Sequence, residues 1–155
     1  MDQIGRTVTE QAPKTRADYG YFREVHTRWY DNDVYGHVNN AVYYFYLDSV
    51  INDFLIKEGG LDFINGAVIG IVPETRCRFR KPLRFPEVID AGLAVARLGR
   101  TSVIYDISLF KKDEPDAAAE GHFVHVFVDR QQQDQTRPIP DQIRAALATL
   151  ERQSE

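Results

Sequence analysis

The segment Ala41–Lys57, AVYYFYLDSVINDFLIK, is apolar around most of its circumference rather than along one stripe. A helix of that kind has to lie inside something. Asn39 or Asn40 can cap its start, and the pair Gly59–Gly60 supplies its stop. The flanking sequence reads as strands: Glu24–Asp31, Ala67–Arg80, Val88–Leu98, Thr101–Lys111 and Gly121–Arg130. In the first, Val25, Thr27 and Trp29 share a parity; in the fourth, Val103, Tyr105, Ile107 and Leu109 do. The short polar connections Leu98–Thr101 and Lys112–Asp116 predict antiparallel hairpins. Asp141–Gln153, after Pro138 and Pro140, predicts a second, amphipathic helix. The pattern predicts an α+β fold, a five-stranded antiparallel sheet wrapped around a central apolar helix.

At 155 residues the chain has room for one sizeable core. Residues 1–19 read as a flexible arm and 20–155 as a single domain. A net charge of −4 argues against nucleic acid as a partner. Cys77 is the one cysteine, so no internal disulfide is possible, and a reducing compartment is the natural setting. The N-terminal residues lack the apolar centre of a secretory signal, and no apolar run approaches the length of a bilayer span. The expectation is a soluble, cytoplasmic protein with no membrane partner.

Chemistry concentrates in Arg28–Asp48, where two aspartates, a histidine and three asparagines precede the helix. The first N–H groups of a helix lack intrahelical partners and carry the positive end of its dipole. They can hold a carbonyl oxygen that is becoming an oxyanion, while a nearby aspartate attacks the carbonyl or deprotonates a water. On spacing alone, these residues read first as helix caps.

The run Asp33-Val34-Tyr35-Gly36-His37-Val38-Asn39-Asn40, followed by Tyr43, Tyr44, Tyr46 and Asp48, resembles the signature of the hotdog-fold acyl-CoA thioesterases of the 4-hydroxybenzoyl-CoA type. The resemblance implies the hotdog fold and hydrolysis of an acyl thioester without metal or organic cofactor. It places the catalytic carboxylate on Asp33, as nucleophile or general base, and the oxyanion N–H on Asn40. The helix acid Asp48 also matches in spacing. Asp31 reads as a solvated or supporting carboxylate. The loop is also similar to that of plant acyl-carrier-protein thioesterases, in which an Asp, an Asn and a His act; Asp33 and His37 match, and Tyr35 stands at the Asn position. His37 is therefore either a helper or a residue that bonds the loop backbone. Tyr43, Tyr44 and Tyr46 read as core or interface aromatics, with Tyr43 carried as a substrate contact.

Most of Arg76, Arg78, Arg80, Lys81 and Arg84 read as a solvated charged face. In the resembled family the turn between the two middle long strands supplies cations to the nucleotide, which implies Arg100 first and Arg97 second. Rival chemistries find little support. No GxSxG elbow surrounds Ser49, Ser102 or Ser108. His122 and His125, three apart on one strand, point to opposite faces and cannot share a metal. Cys77 reads as a buried inert thiol and His26 as an ordinary strand residue. The expected partners are an acyl-CoA or an acyl-carrier-protein thioester and a second copy of the chain, as a homodimer or homotetramer with sites at the subunit interface. The competing readings are a non-catalytic acyl-thioester binding module and a hotdog hydratase or dehydratase.

Overall fold

The computed structural model describes residues 11–152. Five strands, β1 (Tyr21–His26), β2 (Val68–Phe79), β3 (Val88–Leu98), β4 (Ser102–Lys111) and β5 (Ala119–Asp129), form one antiparallel sheet in the order β1-β3-β4-β5-β2. Helix α1 (Asn40–Lys57) lies against its concave face, and α2 (Asp141–Ala148) packs near β3. This is the hotdog arrangement. Leu47, Val50, Ile51, Phe54 and Leu55 of α1 are buried against Leu93, Val103, Tyr105, Ile107, Phe123 and Phe127 of the sheet. The odd-numbered residues of β5 from Ala119 to Phe127 face this core, and the even-numbered ones are only half-buried. Among the described residues no helix is long and apolar enough to cross a membrane.

The parity of β5 separates its two histidines as expected. His122 stands on the outer face, 3.6 Å from Glu74, whereas His125 is buried, with its Nδ1 3.2 Å from the Tyr105 hydroxyl and its ring edge-on to Phe123 and Phe127. Burial lowers the His125 pKa from 6.5 to about 4. The unfolded chain therefore binds a proton below about pH 6.5 that the folded chain refuses until about pH 4. Stability is complete above this window and falls as the pH drops through it, by roughly 3 kcal/mol. Urea unfolding of wild type and His125→Phe at pH 7 and pH 4 checks this. The variant loses a hydrogen-bond partner for Tyr105 at both pH values, but its stability should fall less on acidification. Equal losses in the two proteins would refute the assignment.

Three sequence expectations need correction. The first strand ends at His26, not Asp31: the Thr27 hydroxyl donates to the Glu87 carbonyl at 2.5 Å, and Trp29–Asp31 coils into a short 3-10 turn. Trp29 is consequently 77 % exposed instead of sharing a buried face with Val25. The second helix stops at Ala148, because the chain turns to bond with β3: Val95 N–H donates to the Leu150 carbonyl and Arg152 N–H to that of Val95. Its expected last residue, Gln153, lies outside the described residues.

The expected N-terminal arm falls outside the described residues over 1–10, but Lys14–Tyr19 is bound down. Arg16 pairs with Asp90 at 2.9 Å, and the buried Tyr19 hydroxyl reaches Asp106 at 2.7 Å and Ser108 at 2.5 Å. These partners stand on the outer sheet face with Arg76, Arg78 and Arg80, whose charges meet Glu74 and Glu120. Cys77 points the other way, opposite Gly121, half-buried. Burial, with Glu120 adding to it, pushes its thiol up to about 12.

Candidate active site

The loop between Asp31 and α1 is built from its own polar groups. Asn32 and Val38 form an antiparallel bridge, Asp33 N–H donates to the His37 carbonyl at 2.8 Å, and Gly36 N–H donates to that of Asp33 at 3.1 Å. Gly36 closes the turn at φ +80°, a backbone region that costs glycine least. The Asp33 carboxylate accepts the Tyr35 N–H at 2.9 Å through Oδ1. Two further bonds dock the loop onto the segment before β3: Val38 N–H to the Leu83 carbonyl at 2.7 Å, and Phe85 N–H to the Asn32 side chain at 2.9 Å.

Asn39 caps α1. Its side-chain oxygen accepts the Ala41 N–H at 2.9 Å and its carbonyl accepts the Val42 N–H at 2.9 Å. The Asn40 N–H, the next donor of the helix mouth, has no hydrogen-bond partner among the described residues. Asn40 lines a cleft of about 280 Å³ with His37, Val38, Tyr43, Phe79, Arg80, Lys81 and Pro82. An unpaired N–H at the positive end of a helix dipole is suited to a developing negative charge.

Of the residues singled out from the sequence, His37, Asn40 and Tyr43 share this cleft. Asp33 is half-buried on the loop beside it, tied to His37 through the backbone, and does not line the cleft itself. The His37 ring lies 3.4 Å from the Arg84 guanidinium, a neighbour the sequence did not suggest. Tyr43 is buried: its hydroxyl accepts the Leu83 N–H at 3.3 Å, and its ring meets Phe79 edge-on.

Arg97 and Arg100 are not part of this cluster. Both are exposed at the β3–β4 turn, whereas the Asp33 loop docks next to Val88, where β3 begins. At about 3.3 Å per strand residue the length of β3 separates the two ends by roughly 30 Å. A second hollow, about 360 Å³, opens along α1 between Ala41, Tyr44, Phe45, Asp48, Val72, Thr75 and Phe123. Burial there raises the pKa of Asp48, which accepts a hydrogen bond from Asn52 at 3.0 Å.

Of the two readings of Asp31, burial at 1 % exposure rules out the solvated one and agrees with the supporting one. The Tyr46 hydroxyl donates to Asp31 at 2.5 Å, the Arg28 N–H at 2.8 Å and the Arg28 guanidinium at 3.1 Å. Burial alone would raise its pKa, but these donors outweigh burial and hold the carboxyl below its ordinary value.

Residues 27–147 match the Thioesterase-like superfamily. The chain belongs to that superfamily. No curated protein matches it. Among solved structures, the PA5185 protein of Pseudomonas aeruginosa is 45 % identical, with a TM-score of 0.89 over 94 % of this chain and 100 % of that one. The PA2801 protein of the same organism, described as a proposed thioesterase, is 29 % identical, with a TM-score of 0.74 over 81 % and 96 % of the two chains. The BH1999 gentisyl-coenzyme A thioesterase shares the fold at 24 % identity, with a TM-score of 0.71 over 82 % and 99 %. Membership in this superfamily supports thioester hydrolysis as the general activity.

Proposed function

We propose that the protein is an acyl-CoA thioesterase that hydrolyses its substrate to a free acid and CoA. The observation that carries this reading is the unpartnered Asn40 N–H at the mouth of α1, beside a loop that presents Asp33. A relative that acts on gentisyl-CoA supports a CoA thioester as substrate. The thioester carbonyl sits against Asn40. As nucleophile, Asp33 forms a C–O bond to the carbonyl carbon while the oxygen takes up charge against the Asn40 N–H. The C–S bond then breaks, CoA leaves as a thiolate that is protonated by solvent, and water hydrolyses the anhydride to regenerate Asp33. As general base, Asp33 instead takes a proton from the attacking water. His37 assists from within the cleft, and the apolar hollow beside α1 receives the acyl group.

The test is turnover of a panel of short, long, branched and aromatic acyl-CoAs, followed by release of the CoA thiol. The expected result is hydrolysis of at least one class, with kcat/KM rising as the acyl group fits the hollow. CoA binding without turnover of any substrate would replace this reading with a non-catalytic binding module. Single-turnover hydrolysis in oxygen-18 water, with label sought in Asp33, separates nucleophile from base.

The active unit in this reading is a dimer. Since Arg97 and Arg100 lie at the far end of β3, they reach a nucleotide bound near Asp33 only from a second copy of the chain. The edge strand β2 and the α1 face, with Phe45 68 % and Val72 43 % exposed, offer a surface for that copy. Sedimentation at assay concentration should give a dimer or larger, and a fully active monomer would overturn the claim.

A further inference from the structure

Asp31 bonds in two directions at once. Its carboxylate accepts the Tyr46 hydroxyl from the second turn of α1, and its carbonyl accepts the N–H of Asn39, the residue that caps the same helix, at 2.9 Å. Between Asp31 and Asn39 the chain makes the loop that carries Asp33 and His37. One buried residue therefore ties the loop to the helix mouth, while the bonds of Val38 and Asn32 dock the loop onto the segment before β3. We propose that Asp31 and Tyr46 form a clamp that sets the Asp33 loop against the N-terminus of α1 and so fixes the spacing between the Asp33 carboxylate and the Asn40 N–H.

The energetics favour a rigid contact. Asp31 is almost wholly inaccessible, and Arg28, 73 % exposed at its side chain, covers it from the solvent side. Tyr46 is 5 % exposed, and burial together with the Asp31 carboxylate raises its pKa, so the hydroxyl remains a donor. A short bond from a buried hydroxyl to an ionised carboxylate is among the stronger hydrogen bonds a protein makes. Losing either partner leaves the other buried and short of a bond. Neither residue lines the cleft. Both are positioning residues, and they act through the loop and the cap.

For its effect on catalysis the clamp rests on the thioesterase reading; for its effect on the loop it does not, and the experiment uses both. Tyr46→Phe removes the hydroxyl and keeps the ring, while Asp31→Asn keeps the shape and weakens the acceptor. In both variants, below their melting temperatures, kcat should fall roughly 10- to 100-fold with KM within about twofold, because misplaced reacting groups cost rate rather than binding. Amide hydrogen exchange at Asn39 and Asp33 should accelerate at least about tenfold, with β4 amides unchanged. A merely structural bond would lower stability and leave kcat and the Asn39 amide as in wild type; that result in both variants overturns the clamp. Should wild type hydrolyse no acyl-CoA, the thioesterase reading fails, and exchange alone decides: faster Asn39 exchange supports the clamp and unchanged exchange refutes it.

Discussion

Asp33→Asn should lower kcat by roughly 10²- to 10⁴-fold with little change in KM, the range expected when a positioned proton acceptor is removed. A lost nucleophile would cost at least as much. The substitution suits the test because it leaves the loop intact. The structural duty of the Asp33 side chain is to accept the Tyr35 N–H through Oδ1, and an asparagine oxygen can do the same. Its backbone bonds with His37 and Gly36 do not involve the side chain. What asparagine lacks is the negative charge and the basicity that either mechanism needs. Circular dichroism and thermal melting should therefore match wild type while turnover of the best acyl-CoA collapses. A folded variant that keeps most of its kcat would remove Asp33 from the mechanism and turn attention to His37, which lines the cleft directly.

The parts of the fold that depend on nearest neighbours in sequence were legible. The helix expected over Ala41–Lys57 runs over Asn40–Lys57, β3 spans Val88–Leu98 as expected, and β4 begins one residue later than expected. In each, apolar periodicity and turn residues agree with the tertiary environment. The misreadings arise where a distant partner overrides local pattern. Thr27 and Trp29 continue the alternation of β1, but Glu87, 60 residues on, draws off the Thr27 hydroxyl and the strand stops. Tyr19 sits in a polar stretch that reads as an arm, yet its partners Asp106 and Ser108 lie 87 and 89 residues away.

The candidate site divides along the same line. Asp33, His37 and Asn40 were legible as candidates because one short run of sequence holds them. A supporting place was among the readings for Asp31, but its burial and its Tyr46 partner were not legible, because Tyr46 comes round only on the second turn of α1 and an aspartate before a polar loop carries no mark of burial. Arg84 was read only as part of a solvated charged face, because its partner His37 lies 47 residues away in sequence. Arg97 and Arg100 came from resemblance, and at their distance from the loop along β3 the nucleotide contact proposed for them requires a second copy of the chain.

Leu47→Ala should destabilise the fold by about 2–5 kcal/mol, as buried leucines commonly do when the cavity left behind cannot collapse. Leu47 is fully buried at the middle of α1, where the helix crosses β5. The contact there is close enough to exclude any side chain on the strand: a Cβ at Gly121 would lie 2.8 Å from Leu47 Cδ1 and 3.0 Å from the Ile107 carbonyl oxygen. Gly121→Ala alone should therefore also destabilise, by about 1–3 kcal/mol through overpacking. Together the two changes should cost less than their sum, since the alanine methyl at 121 enters space that Leu47 vacates. Compensation will be incomplete, because the Ile107 carbonyl belongs to the β4 backbone and cannot withdraw. Urea unfolding of the four proteins measures the coupling. Strictly additive losses would mean that α1 shifts along the sheet to absorb each change separately, and that the Leu47–Gly121 contact does not set the depth at which the helix is seated.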